Sequence, residues 1–388
     1  MLPILDLVAA MYYQRSGNNS KVQALVNGVE RNLSTTVTSD PKIDGAIYFT
    51  MALSYLSLND IDKSRSYFNK AQTIFKDAFG ESYDEYIRAT FLLGIVDMSA
   101  GDHDSAIEKF DRAKELYTSY YTSNNPLSYS SSFYQLFARY SLNKPVSTDL
   151  VESFTSFEKK QAEELFFQMT SNERSAFWNT HSNSKDLIFS IGVDNGYSEI
   201  LYNYSLFYKG VLLDSDTKLG EAILTSGDQE IINKYSQLLS LKEEAIKQNS
   251  IEAGNGIGKT LSLLSGDDKQ KEDIYSLISS LERELALYAK NSLNLLPSSD
   301  INYLDVSKSL KKNEVAVEFV DYEKIAKHNE EDKREVYYCA LVLKPGGKAP
   351  LIIPLCSQKE LNSCVLAGEK AYDPSNYVSG ELFKLVWA

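Results

Sequence analysis

The sequence predicts a mainly α chain: a superhelix of repeated helix pairs, then a further helical region, then a small C-terminal α/β segment. Three observations predict it. A helix–turn–helix pattern recurs along the first part without gaps, apolar residues keep helical spacing to about residue 292, and the spacing changes to alternation after about Pro297. The domains expected from these changes are 1–159, 160–296 and 297–388.

The repeat is the firmest element. Tyr48 to Ala71 aligns with Thr90 to Ala113. Small residues recur at Ala52 and Gly94, at Ser64 and Ala106, and at Ala71 and Ala113, and large apolar ones at Met51 and Leu93 and at Phe68 and Phe110. Two antiparallel helices need this pattern, because a small residue lets the backbones approach and a large one fills the next gap. Asn59-Asp60 and Gly101-Asp102 break the helices, since these residues favour turns and caps. The period is 42 residues. A weaker unit precedes, with Ala10, Tyr13, Gly17 and Val26 at corresponding places, and a degenerate one is expected around Tyr134 to Lys159. The order of small and aromatic residues resembles the tetratricopeptide repeat, at a period longer than its common 34.

The middle of the chain continues as helix. Ile231, Tyr235, Leu238 and Lys242 mark one amphipathic helix, and Leu277, Leu281, Leu285 and Tyr288 another. Thr170-Ser171-Asn172-Glu173 has the form of a capping box, so a helix through Phe177 and Trp178 is expected to start there. Beyond Pro297, Glu314 to Tyr322 alternates, with Val315, Val317 and Phe319 on one face and Glu318 and Asp321 nearer the other. Val336 to Leu343 and Leu351 to Leu355 read as two more strands, joined through Pro345-Gly346-Gly347, where glycine admits positive φ cheaply. Short helices are expected near Leu361 and Leu382.

Composition narrows the function. The net charge of −13 repels phosphate backbones and anionic lipid heads, so neither nucleic acid nor a membrane surface is an expected partner. No stretch reaches the roughly 18 apolar residues of a membrane span. The three cysteines, Cys339, Cys356 and Cys364, fit a reducing compartment, and a cytoplasmic location is expected. They lack Cys-x-x-Cys spacing, and no metal or other cofactor is expected. Gly254 to Thr260 looks like a phosphate-binding loop, but Ala253 stands where its first glycine belongs, and a turn between helices is the expected reading. His328, in a polar stretch, is expected to be a surface histidine, not the base of a His–Cys pair.

Several segments together resemble the bacterial CHAT proteins, caspase-like peptidases associated with tetratricopeptide repeats. They are Phe167 to Arg174 with Phe177-Trp178, Leu201 to Gly210 with Leu212-Leu213, and Leu281-Glu282 with Leu285. Asp305-Val306 with Leu310, Glu314 to Phe319 and Tyr338 to Leu343 complete the series. The resemblance implies a repeat region that senses partners and a His–Cys peptidase domain. The sequence stops at Val386-Trp387-Ala388, about where that catalytic core would begin. None of His103, His181 and His328 lies in a matching context, so no catalytic residue is carried over. The chain is therefore expected to be non-catalytic as it stands, either as a truncated product or as a protein that works by binding. The repeats imply a protein or peptide partner on the side formed by the first helix of each unit. The residues that would point inward there are Phe49, Leu53 and Leu56, then Phe91, Ile95 and Met98.

Overall fold

The computed structural model describes residues 2–121, 125–166, 169–180, 182–254, 267–292, 301–328, 330, 335–364 and 380–387. The chain divides into two compact units, one of 1–157 with 326–332 and the other of 158–325 with 333–388.

The first unit is a series of antiparallel helix pairs. They are α1 (Leu2–Arg15) with α2 (Asn19–Arg31), α4 (Pro41–Ser57) with α5 (Ile61–Phe79), and α6 (Asp84–Ala100) with α7 (His103–Tyr120). A one-turn helix α3 (Leu33–Thr36) follows α2, and α8 (Pro126–Ser141) and α9 (Thr148–Phe166) follow α7. The turns set the period. Gly17, Asn59, Gly101 and Asn143, each 42 residues after the last, all have positive φ, between 54° and 78°. Each stands just beyond a helix, where a left-handed residue closes the last turn and sends the chain back. The degenerate fourth unit therefore keeps the turn of the others. The following helices are capped: Asn18 accepts from the Lys21 amide, Asp60 from the Lys63 amide, and Asp40, ahead of Pro41, from the amides of Lys42 and Ile43.

The small positions are the points of closest approach. Ala10, Ala52, Ser64, Ala71, Ala106 and Ala113 have no exposed surface. A Cβ on Gly94 would lie 2.7 Å from the Phe110 ring, so α6 and α7 meet there only because the side chain is absent. Phe68, Phe75 and Phe110 fill the adjoining gaps. Phe49 packs edge-on against Phe68 with ring centroids 5.4 Å apart, and Phe91 lies 5.7 Å from Phe110 and 5.5 Å from Tyr134. This is one continuous core running through the pairs.

The second unit contains α10 (Ser171–Thr180), α11 (Ser182–Asn195), α12 (Ser198–Thr225), α13 (Gln229–Gly254), α14 (Asp267–Ser292) and α15 (Tyr303–Ser309). It also holds β1 (Ala316–Glu323), β2 (Val336–Leu343), β3 (Leu351–Ser357), α16 (Gln358–Cys364) and α17 (Gly380–Trp387). The capping box forms: the Thr170 amide donates to Glu173 Oε2 at 2.9 Å and the Glu173 amide to Thr170 Oγ1 at 3.3 Å. Helices α13 and α14 bury Ile231 and Leu238 against Ile274, Ile278, Leu281 and Leu285, and Lys242 reaches Glu282 at 2.7 Å. Leu277, expected in that stripe, faces solvent, because the stripe follows Ile274 and Ile278.

The strands form one antiparallel sheet in the order β1-β2-β3. In β1 the expected alternation sets Val317 and Phe319 on one face and Glu318 on the other, but Asp321 shares the face of Phe319 instead of that of Glu318. Val320 and Tyr322 are buried, whereas Val315 and Phe319 are exposed and Val317 is half-buried. Glu318 shares the inner face with Val320, where Lys209 of α12 pairs with it at 2.6 Å and donates to the Phe319 carbonyl at 2.8 Å. A carboxylate tolerates that position because it is paired. The inner face is tied further by Phe189 stacked on Tyr322 at 5.9 Å, the Glu323 amide donating to Asp186 at 2.9 Å and Lys324 meeting Asp194 at 3.4 Å. The other face carries two apolar rungs across the three strands, Val317–Val342–Leu351 and Phe319–Ala340–Ile353.

Candidate partner-binding surface

The six residues expected to point inward divide into two classes. Phe49 and Phe91, each 8% exposed, belong to the core, and Leu53, Leu56, Ile95 and Met98 are half-buried at its edge. The structure thus places two successive pairs, Leu53 with Leu56 on α4 and Ile95 with Met98 on α6, one period apart over a floor of phenylalanine. Arg88 lies over the Phe49 ring at 5.5 Å.

Two polar clusters, neither evident in the sequence pattern, hold the helices that present this strip. In the first, the Glu30 carboxylate of α2 accepts from Tyr55 Oη at 2.7 Å, Tyr67 Oη at 2.8 Å and Lys63 Nζ at 2.9 Å. Burial raises the Glu30 carboxyl, but the three hydrogen bonds together outweigh it and hold the group below the usual carboxylate range. Burial, and then the Glu30 carboxylate, pushes both phenols well above their ordinary value. In the second, Asp97 of α6 takes Lys109 Nζ at 2.6 Å, Ser105 Oγ at 2.7 Å and Arg65 at 2.9 Å, and its side chain is almost wholly buried. Tyr55, Lys63 and Tyr67 stand one period before Asp97, Ser105 and Lys109. The same place in two units therefore holds an inter-helix clip. In one the acid comes from the preceding pair, and in the other the basic residue does. Sequence periodicity compares residue types, so it passes over sites where the type changes and the geometry does not.

Cys339 is buried on β2, and burial pushes its thiol up to about 12, so the nucleophilic thiolate is disfavoured. His328, exposed as expected, stands edge-on to His103 with ring centroids 4.6 Å apart, and its amide donates to the Ser141 carbonyl at 2.7 Å. His181 and residues 255–260 of the glycine-rich segment lie outside the described residues. Among the described residues, no group of three or more His, Cys, Asp or Glu is placed to hold a metal, and no helix is long and apolar enough to cross a membrane.

Residues 44–119 match the tetratricopeptide repeat family, and the chain contains tetratricopeptide repeats. Among solved structures, it is similar to a Podosopora anserina kinesin-light-chain protein of nearly identical TPR-like repeats. The identity is 13% and the TM-score 0.41, over 54% of this chain and 94% of that one. It is also similar to BtubC (BKLC) from P. vanneervenii, at 15% identity and a TM-score of 0.42 over 53% and 78% of the two chains. The apo form of RapI is a third, at 14% and 0.41 over 75% and 98%. No curated protein sequence matches the chain.

Proposed function

We propose that the chain is a non-catalytic docking module for a protein or peptide partner, which it holds along the strip Leu53–Leu56–Ile95–Met98, with Phe49 and Phe91 forming the floor beneath. The observation that carries this reading is the paired half-exposure of aliphatic residues at the same two positions of consecutive units. A repeat array that needed those residues only for its own packing would bury them as it buries Phe49 and Phe91. A strip of this kind suits an amphipathic helix or an extended peptide. The test is Leu53→Ser combined with Ile95→Ser. The variant is expected to stay within about 1 kcal/mol of the parent in denaturant unfolding, because both sites are half-exposed, and to lose the partners that cross-linking mass spectrometry maps to α4 and α6. Retention of those cross-links would remove the strip from consideration.

A second reading is favoured by the apolar rungs Val317–Val342–Leu351 and Phe319–Ala340–Ile353, which leave one face of the sheet partly uncovered. On this reading the chain is the regulatory half of a CHAT cysteine peptidase. The reading frame of the encoding DNA beyond Ala388 decides it: an uninterrupted frame with a His–Cys signature supports the peptidase, and a stop codon refutes it.

A further inference from the structure

Two rows of residues recur at the turn end of the strip. Leu56, Met98 and Tyr140 stand 42 residues apart, and so do Ser57, Ser99 and Ser141 beside them. They lie in the last turns of α4, α6 and α8, just ahead of the left-handed residues. In the first two units both rows are open: Leu56, Ser57 and Met98 are half-buried and Ser99 is exposed. In the third both are covered, with Tyr140 3% and Ser141 8% exposed. The contacts at that end show what lies over them. Lys327 Nζ sits over the Tyr140 ring at 5.1 Å, the His328 amide donates to the Ser141 carbonyl, and the His328 ring meets His103 at the start of α7. Residues 326–332 belong to the first unit, although the chain on either side of them belongs to the second.

Each contact answers a need of the helix end. The last carbonyls of a helix have no partner within it. Those of Ala138, Arg139 and Tyr140 take the amides of Leu142, Lys144 and Asn143, and that of Ser141 takes His328. No backbone amide from beyond the helix, among the described residues, reaches the matching carbonyls of Ser57 and Ser99. A cation is stabilised at a helix C-terminus and again over a tyrosine face, and Lys327 has both. A tight turn presents the two residues: the Lys327 amide donates to Glu330 Oε2 at 3.1 Å and the Glu330 amide to the Lys327 carbonyl at 2.8 Å.

We propose that Lys327 and His328 are an intramolecular occupant of the docking strip, seated where a partner's chain continues from Leu56 and Met98 onto Tyr140. The proposal rests on the reading of the strip as a docking surface and adds its regulation, because the third seat opens only when the segment leaves. Three residues separate Lys327 from the end of β1 at Glu323. A short tether holds its end at an effective concentration in the millimolar range, so even a weak seat is filled from within the chain. A seat filled about nine-tenths of the time weakens any competitor about tenfold.

The experiment is hydroxyl-radical footprinting of the full chain, read by mass spectrometry at Tyr140 and Met98. In the parent, Tyr140 is expected to be protected and Met98 labelled. Lys327→Glu with His328→Pro removes the cation and the amide donor. It is expected to raise labelling of Tyr140 by about tenfold and to leave Met98 unchanged. The probe is a synthetic peptide with the sequence of residues 323–330, which at roughly millimolar concentration is expected to restore protection of Tyr140 in the variant. The partner cross-links to α4 and α6 are expected to extend to α8 in the variant and not in the parent. Tyr140 labelling that the variant leaves unchanged, a peptide that restores no protection, or cross-links to α8 as strong in the parent would each overturn the proposal. A variant that unfolds shows a rise at the core residue Phe110 as well. Lys327→Glu alone then decides, with an expected rise of about threefold at Tyr140. Failure of the strip itself reads differently: cross-links that survive Leu53→Ser with Ile95→Ser remove the strip and leave the Tyr140 footprint as it is.

Discussion

At the scale of single residues, two clips hold the repeat, and each makes a prediction. Asp97 is buried with Lys109 and Arg65 on either side, and both cations are themselves only part-buried. Asp97→Asn removes the charge but keeps the shape. It is expected to cost about 2–3 kcal/mol in urea unfolding, less than a fully buried pair would, since the orphaned cations can turn to water. The Glu30 clip responds to pH at both ends. Its carboxyl is held low in the folded chain, so the stability it adds is present above the unfolded carboxylate range and is lost as pH falls through the lower folded value. Tyr55 and Tyr67 are held high, so their contribution is present below the unfolded phenol value, near pH 10, and is lost as pH rises above it. Urea midpoints measured from pH 8 to 11 should fall at the alkaline end in the parent and fall less in Tyr55→Phe with Tyr67→Phe. Equal slopes would show that the clip does not hold.

At the scale of elements, Ala106 has no exposed surface on α7, and Ala106→Leu must displace a neighbouring helix. It is expected to cost about 1–3 kcal/mol, read as a lower denaturation midpoint at unchanged m-value. The helix pairs were legible because packing two helices imposes small and large residues at fixed spacing, and Ala52, Gly94, Phe68 and Phe110 all stand where that spacing sets them. The strands were legible in extent but not in facing. Both faces of β1 carry apolar residues, so alternation alone could not decide between Phe319 and Val320 as the inward one. What decided it was Lys209, more than a hundred residues earlier, pairing with Glu318. Of the candidate strip, the period identified the positions. Whether each was floor or edge depended on partners such as Tyr134 from α8, which lie outside the repeat unit compared.

For the molecule as a whole, burial of the Cys339 thiol, which pushes it up to about 12, disfavours the thiolate and predicts no thiol peptidase activity from that residue. A fluorogenic peptide panel should show no turnover that is lost in Cys339→Ala, Cys356→Ala or Cys364→Ala, and such a loss would assign a nucleophile. The four left-handed turns at a constant interval have one more consequence. They make the repeat a unit of exchange, as interchangeable in principle as links in a chain. Removing residues 60–101 joins Asn59 to Asp102, so a turn residue is again followed by an acidic helix start. The α2 acid then finds Lys109 where Tyr67 stood, and Tyr55 keeps its place. A lineage can therefore shorten or lengthen this protein by whole links without redesigning the joint between them.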